Sequence, residues 1–246
     1  MESTSGATLT VRKSAPIGKA RNRLFAQAEW LKQFDSPNIV KVLEVTADGY
    51  TMPYLEPTLQ IPPDYLAGRI IAVLSRDVWQ KQSMMTFKPS LFREYVHRFG
   101  NTDLDDFTVK MLPQILRQEF VETHGDPTFE NALSLDGELV LVDPLPDPVQ
   151  DGRMPSVRAV DLGKILQSAL GYEAVKRGLL SSYILDLPTW RTVRYTCDGP
   201  EEWDLARYFC ALHIARFIPY QTPDLGHRWM YWYASLLELL SGPSFI

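Results

Sequence analysis

The stretch that decides the fold is Thr123-His-Gly-Asp-Pro-Thr-Phe-Glu-Asn131, followed after a short turn by Leu139-Val-Leu-Val-Asp-Pro144. Asp126, Asn131 and Asp143 supply three oxygen-bearing side chains, which converge if the apolar strand doubles back beside the loop. Mg²⁺ prefers such ligands and completes its octahedron with water and substrate phosphates. Phosphoryl transfer uses the same parts, namely one Asp that orients the attacking hydroxyl and an Asn and an Asp that hold the metal.

The order His124-Gly125-Asp126, then Asn131, then Asp143 resembles the catalytic core of the aminoglycoside phosphotransferase and choline kinase group of protein-kinase-like enzymes. In that group the pattern is H-G-D, four residues, N, and an apolar strand that ends in Asp. The chain is most similar to kinase-like proteins of glycan-biosynthesis context, in which the strand Asp is also followed by Pro. The resemblance implies that Asp126 is the catalytic carboxylate, that Asn131 and Asp143 hold Mg²⁺, and that ATP is the co-substrate.

His124 has three interpretations. As a metal ligand it lacks a second His at helical or hairpin spacing, and as a general base it lacks a Ser in a G-x-S-x-G turn. As a structural residue that hydrogen-bonds the backbone and fixes the loop, it agrees with the resemblance. We therefore expect His124 to support Asp126 without taking part in the chemistry.

Composition places the chain among ordinary globular proteins. Its 246 residues are enough for one large domain or two lobes, and the net charge is −5. Because no block of basic residues occurs, a surface that coats nucleic acid is not expected. No apolar run is long enough to cross a bilayer, and the start of the chain lacks the regions of a signal peptide. These features predict a cytoplasmic protein without a membrane span.

Residues 8–14 alternate like a strand and put Lys13 on the apolar face. In isolation this is an edge lysine that extends to water. In a kinase, the strand lysine contacts the nucleotide phosphates and pairs with a Glu on the following helix. The helix predicted for Lys19–Phe34 contains Glu29, so the resemblance implies a Lys13–Glu29 ion pair beside the nucleotide.

The next segment, Gly49 to Leu55, is similar to a strand that ends in an adenine-binding hinge. Met52 lies at the position of the pocket wall, and the Pro53-Tyr54-Leu55 backbone would offer a C=O and an N–H group to the base. A strand followed by a Pro-bounded turn occurs in many folds, so the position of this segment supports the assignment more than its residues do.

One expected part is short. Kinases precede the lysine strand with two strands and a Gly-rich loop that covers the phosphates, whereas only Met1 to Ala7 precede Thr8 here. Ser3-Thr-Ser-Gly6 is either a remnant of that loop or a disordered terminus. The resemblance thus predicts a shortened N-lobe, which works as it is, is covered by another segment or a partner protein, or belongs to a degenerate enzyme.

Helical patterns dominate from residue 61 onward. They predict helices over 65–82, 90–99, 103–122, 158–170, 203–218 and 226–240. The expected fold is therefore α+β and two-lobed, with a small β-rich N-lobe over residues 1–58 and a helical C-lobe over residues 59–246. Residues 38–45 are predicted to form a further strand of the N-lobe.

Two features follow Asp143. A Pro/Gly/Asp-rich loop stands at the place where kinases contact the acceptor, although an ordinary surface loop explains it as well, and Asp161 begins a helix. In the family an Asp at this helix start accepts hydrogen bonds from the catalytic-loop backbone, although an ordinary N-terminal carboxylate explains it as well. Farther on, Arg207, Arg216 and Arg228 are equal candidates to bind a substrate anion or a partner carboxylate.

The function that these residues predict is ATP- and Mg²⁺-dependent transfer of phosphate to a hydroxyl of a small molecule, with a sugar or glycan precursor as the leading acceptor. The choice of acceptor rests on analogy alone. A pseudokinase or a nucleotide-binding interaction module without turnover is the alternative. A protein kinase acting on Ser, Thr or Tyr is less favoured, because Gly125 replaces the H-R-D arginine and D-F-G is absent.

Overall fold

The computed structural model describes residues 9–57, 61–84, 86–145, 153–179, 186–218 and 223–241. Two segments singled out in the sequence lie outside these ranges, namely residues 3–6 and most of the Pro/Gly/Asp-rich loop after Asp143. The described residues form an α+β fold with two small antiparallel sheets and a larger group of helices.

The N-terminal sheet has the strand order β1-β3-β2, where the strands are β1 (Thr10–Ser14), β2 (Glu44–Thr46) and β3 (Gly49–Pro53). Its antiparallel register places Lys13 opposite Tyr50 and Val11 opposite Met52. Because side chains alternate along a strand, these four residues share one face. That face is the less exposed side of β1, as the alternation in the sequence predicted.

Helix α1 (Lys19–Leu31) follows β1 and packs against β3. It ends three residues before the predicted end at Phe34. From the predicted apolar stripe, Ala28, Leu31 and Phe34 are buried, and Leu24 is partly buried against the same core. The amphipathic pattern therefore oriented this helix correctly.

The strand predicted for residues 38–45 is wrong over most of its length, because only β2 at its end is a strand. Instead, Leu141 donates to the Asn38 carbonyl over 2.8 Å, and Val40 donates to the Leu141 carbonyl over 3.1 Å. These bonds make an isolated parallel bridge between Ile39 and Leu141. The partner lies about a hundred residues away in the chain, so local strand propensity could not reveal it.

The helices after this sheet are α2 (Pro63–Val73), α3 (Pro89–His97), α4 (Thr102–Arg117), α5 (Arg158–Ala169), α6 (Tyr172–Lys176), α7 (Leu187–Thr196), α8 (Pro200–Ala215) and α9 (Pro223–Ser241). A π-helical turn, Leu74–Val78, extends α2. The sequence predicted six of these helices with shifted bounds and missed α6, which has five residues, and α7, which has ten.

Helix α4 ends at Arg117, five residues before its predicted end. Farther on, the Val121 N–H donates to the Ser156 carbonyl over 2.9 Å, and the Glu122 N–H donates to the Lys81 carbonyl over 2.7 Å. These tertiary hydrogen bonds replace the helical ones. The chain therefore enters the H-G-D loop in an extended conformation.

The second sheet has the order β4-β5-β6, with β4 (Glu56–Pro57), β5 (Ala132–Leu135) and β6 (Glu138–Leu141). Asp136 and Gly137 form the two-residue turn between β5 and β6, with φ of 52° and 83°. Such left-handed turns match the twist of a hairpin, and Asp-Gly favours them. The hairpin sets Asn131 and Asp143 just outside its paired residues. The lobe boundary at residue 58 stays a prediction.

Helices α5 and α8 cross closely at Gly163. A Cβ at this position would lie 2.8 Å from the Cys210 backbone nitrogen and 2.8 Å from the Phe209 Cβ. Such contacts require glycine, because neither backbone can move away cheaply.

Within the described ranges, no helix combines the length and the hydropathy that crossing a membrane requires.

Candidate active site

Asp161, in the first turn of α5, holds the H-G-D loop. Its Oδ1 accepts a hydrogen bond from the Gly125 N–H over 2.7 Å, and its Oδ2 accepts one from the His124 N–H over 3.1 Å. The Trp79 indole N–H also donates to Oδ2, over 2.9 Å. Gly125 has φ 75°, a left-handed conformation that glycine adopts at little cost. Burial raises the pKa of Asp161 to about 6, although all three hydrogen bonds oppose this shift.

His124 is fully buried inside this loop. Its Nδ1 lies 3.4 Å from the Asp126 backbone nitrogen, and its carbonyl accepts from the Leu145 N–H over 2.7 Å. The edge of the Trp30 ring packs on it, with 5.6 Å between ring centroids. Burial lowers the pKa of His124 to about 4, so the imidazole is neutral near pH 7. These contacts place His124 as a support of the loop.

Asp126 is the most constrained carboxylate of the loop. Its Oδ1 lies 2.9 Å from the Lys164 Nζ, and its Oδ2 accepts from the Asn131 amide nitrogen over 3.0 Å. The same amide nitrogen donates to the Asp126 carbonyl over 2.8 Å. Burial by itself raises the pKa of Asp126, but the charge and the hydrogen bond of Lys164 are the main effects that outweigh burial and leave the pKa below its ordinary value. Asp126 is therefore ionised at neutral pH.

Lys164 was missed in the sequence. It is buried one helical turn after Asp161 and also donates to the Gln167 Oε1 over 3.1 Å. Burial lowers the pKa of Lys164, and the Asp126 carboxylate opposes this shift. A lysine inside the apolar pattern of α5 was the available signal, because a buried lysine needs an anionic partner. The spacing of Asp161 and Lys164 then puts both on one face of the helix.

Asp143 lies two residues beyond β6 and has φ 56°, an uncommon left-handed conformation that Asp tolerates better than most residues. Its carboxylate forms an ion pair with Lys13 of β1. Burial, reinforced by Arg23, lowers the pKa of Lys13 to about 8. The N-terminal strand and the Asp143 segment therefore meet through two of the predicted site residues.

The predicted Lys13–Glu29 ion pair is wrong. Glu29 is exposed on the outer side of α1 and pairs with Lys32 one turn later, at 3.0 Å. Gln27 is the buried polar residue of this helix, and its amide nitrogen donates to the Pro144 carbonyl over 2.7 Å. The helix thus contacts the site through a side chain on its inner face, two residues from the one that the resemblance implied.

The predicted hinge residues have mixed positions. Met52 and Leu55 are buried, whereas Tyr54 is largely exposed and Pro53 is half-buried. The Tyr54 N–H donates to the Leu9 carbonyl over 2.8 Å, so β1 already uses this donor. An adenine-binding role for this segment stays a prediction that depends on the Pro53 carbonyl and the Leu55 N–H.

Asn131 and Asp143 are chemically suitable for Mg²⁺. Asn131 uses its amide nitrogen on Asp126, which leaves its amide oxygen for a cation. The Val142 N–H donates to the Asn131 carbonyl over 3.0 Å. Because Asp143 follows Val142 directly, this hydrogen bond brings Asp143 close to Asn131. One carboxylate and one amide oxygen fit Mg²⁺, which takes further ligands from phosphates and water. In the described part of the chain, no three His, Cys, Asp or Glu side chains cluster as a metal site of protein ligands alone would need.

Comparison with solved structures gives similar folds. A choline/ethanolamine kinase family protein from Mesorhizobium loti superposes with a TM-score of 0.58 and 14% identity, over 96% of this chain and 84% of that one. A mutant of aminoglycoside 2′-phosphotransferase-IIIa in complex with GDP has a TM-score of 0.49 and 13% identity, over 92% and 82% of the two chains. No protein-family model and no curated protein sequence matches the chain. The chain therefore has a kinase-like two-lobed α+β fold with a small sheet-containing N-lobe, as the H-G-D, Asn and Asp pattern predicted.

Proposed function

We propose that this protein transfers the γ-phosphate of ATP, in the presence of Mg²⁺, to a hydroxyl group of a small molecule. The observation that carries the proposal is the Asp126 carboxylate, held on one oxygen by Lys164 and on the other by Asn131. A sugar or glycan precursor is the leading acceptor class, and a cytoplasmic location is part of the proposal.

Asp126 orients the acceptor hydroxyl and accepts its proton. A positioned general base of this kind contributes roughly 10²–10⁴ in rate. Because Lys164 and Asn131 restrain the carboxylate, little rotamer freedom is lost when the hydroxyl binds. Asp161 and His124 act one step away, since they hold the backbone on which Asp126 lies.

Asn131 and Asp143 would hold Mg²⁺, which supplies charge neutralisation between the phosphate groups. Lys13 supports this assignment, because it places a positive charge beside the Asp143 carboxylate. A site that attracts a cation to Asp143 in this way is electrostatically suited to a metal–phosphate complex. Lys13 is then the cation available to the nucleotide phosphates.

A second candidate is a nucleotide-binding protein without turnover. The exposed position of Glu29 favours it, because Glu29 pairs with Lys32 and does not hold Lys13 in a catalytic orientation.

Transfer of labelled γ-phosphate from ATP and from GTP to a panel of hydroxylated small molecules separates the two candidates. We expect transfer by the wild type and a loss of about 10²–10⁴ in Asp126→Asn. Calorimetric titration with a non-hydrolysable ATP analogue should give similar affinities for the two proteins. Binding without any transfer favours the second candidate. Equal transfer by the wild type and Asp126→Asn contradicts the mechanism.

A further inference from the structure

The structure distinguishes the three arginines that the sequence left equal. Arg207 forms an ion pair with Asp204, and Arg228 is exposed on α9. Arg216 lies just after α8 and is partly buried. Its Nη1 is buried and has no hydrogen-bond partner in the described part of the chain. A buried donor without a partner is uncommon in folded proteins and calls for an explanation.

Two contacts relate Arg216 to the region around the catalytic carboxylate. Its guanidinium carbon is 5.7 Å from the centre of the Tyr95 ring, a cation–π distance that holds the side chain in place. The next residue, Phe217, has its ring centre 6.0 Å from the Lys164 Nζ, and that same amine contacts Asp126. The electrostatic effect of Arg216 on the pKa of Asp126 agrees with this proximity.

The acids near Lys164 and Arg216 have partners of their own. Asp126 is paired with Lys164, and Asp161 accepts hydrogen bonds from the loop backbone and from Trp79. Glu173 accepts a hydrogen bond from Ser168 over 2.6 Å, and burial raises its pKa. Glu130 is already paired with Lys176 at 2.8 Å, and His213 is neutral because burial lowers its pKa. A cationic acceptor would meet repulsion from Lys164 and Arg216 here.

The two sides of Asp126 differ. Its Oδ2 contacts Asn131, which adjoins Val142 and the Asp143 segment, and this is the side of the proposed metal. Its Oδ1 contacts Lys164, and the ring of Phe217, the residue after Arg216, lies against that amine. A group bound by Arg216 would therefore lie on the acceptor side of the carboxylate.

We propose that Arg216 binds a carboxylate or phosphate group of the acceptor and thereby presents a hydroxyl of the same molecule to Asp126. This inference rests on the proposed function and narrows its acceptor to hydroxylated anions. A guanidinium suits such a ligand because it offers paired donors that match the oxygens of carboxylate and phosphate.

The test is calorimetric titration of the full chain, saturated with the non-hydrolysable ATP analogue and Mg²⁺. The ligands share one scaffold where possible: glucuronate, glucose 6-phosphate, glucose and glucosamine, with inorganic phosphate as the smallest anion. We expect at least one anion to bind more tightly than glucose, and glucosamine to bind most weakly. Arg216→Met should weaken the anion about 10- to 100-fold, as loss of a charge-assisted hydrogen bond does. Arg216→Lys should recover part of this loss.

The matched control is Arg228→Met, which removes an exposed arginine and should leave anion binding unchanged. Failure of every anion to bind, or equal binding by the wild type and Arg216→Met, overturns the inference while leaving the proposed function intact. If Arg216→Met weakens the ATP analogue instead, Arg216 contacts the γ-phosphate and the inference is wrong. If the wild type does not bind the ATP analogue at all, the proposed function fails, and the inference fails with it. Thermal unfolding of each variant separates these results from loss of folding.

Discussion

Two lysine–aspartate pairs of the site differ in how firmly they are held. In the Lys164–Asp126 pair the lysine side chain is 5% exposed, and Asn131 holds the second carboxylate oxygen. In the Lys13–Asp143 pair the lysine is 21% and the aspartate 38% exposed, and the aspartate backbone is in a left-handed conformation. The first pair joins a helix to the loop of the larger lobe, whereas the second joins two lobes.

This difference indicates that Lys164 and Asp126 stay paired without substrate, whereas Lys13 and Asp143 can exchange partners. We call the first the persistent pair and the second the exchangeable pair. Removing one partner of a buried ion pair costs about 3–5 kcal/mol, whereas an exposed pair contributes about 0–1 kcal/mol. Asp126 therefore keeps its geometry in the absence of substrate. Asp143 can release Lys13 when a metal–nucleotide complex supplies a stronger cation.

Among the tests of this comparison, the largest expected effect comes from the exchangeable pair, Lys13 and Asp143. Asp143→Asn keeps the shape of the side chain but removes the charge, so Mg²⁺ should no longer strengthen nucleotide binding. We expect the gain in affinity produced by Mg²⁺ to fall at least about tenfold, by analogy with losses at metal sites. Calorimetric titration of the ATP analogue with and without Mg²⁺ measures it. The control is Asp136→Asn, which changes another aspartate with a left-handed backbone conformation, in the turn between β5 and β6. An unchanged Mg²⁺ effect in Asp143→Asn would show that Asp143 is not a ligand.

The persistent pair should reveal itself in the pH dependence of kcat. Lys164 lowers the pKa of Asp126, so Lys164→Met should raise that pKa and move the acid limb of the profile to higher pH. Below the limb, the rate should fall by up to about tenfold for every tenfold rise in the proton affinity of Asp126. Lys164→Arg should keep the limb near its original position. Lys176→Met, which removes the exposed partner of Glu130, is the control, and parallel profiles for the wild type and Lys164→Met would exclude this electrostatic role.

The half-buried Lys13 should give a smaller effect at alkaline pH. Burial lowers its pKa to about 8, so the amine is charged below that pH and neutral above it. Nucleotide affinity should therefore fall by a few-fold as pH rises from about 7.5 to 9, because the phosphates lose a cation. Lys13→Arg should have a flat profile over this range, since guanidinium does not titrate there. The same alkaline decline in both proteins would assign the effect to another group.

The smallest effect separates two neighbouring residues of α1. Gln27→Ala removes a buried hydrogen bond to Pro144 and should weaken Mg²⁺-dependent nucleotide binding by a few-fold, since one hydrogen bond is worth about 1 kcal/mol. Glu29→Ala changes an exposed residue paired only with Lys32 and should have no measurable effect. A larger loss of nucleotide affinity in Glu29→Ala than in Gln27→Ala would support the Lys13–Glu29 ion pair that the resemblance implied.

Sequence patterns succeeded where neighbours in the chain decide the outcome. The H-G-D loop, the short turn before Leu139 and the alternation around Lys13 were visible because spacing along the chain determines each of them. They failed for residues 38–45 and for the end of α4, where hydrogen bonds to distant backbone groups replace local ones. The partner of Lys13 was also missed, because the choice between Glu29 and Asp143 depends on how α1 lies over the loop.

The sequence by itself predicted the kinase-like fold and singled out Asp126, Asn131 and Asp143 as candidates for chemistry. It could do so because the order and spacing of these residues along the chain are visible without knowledge of the tertiary contacts. Only the tertiary structure decided that Lys164 pairs with Asp126, that Gln27 replaces Glu29, and that Arg216 has a buried nitrogen without a partner in the described part of the chain. The physical reason is burial. A charge removed from water must find a partner, and which partner it finds depends on which elements pack together in the folded chain.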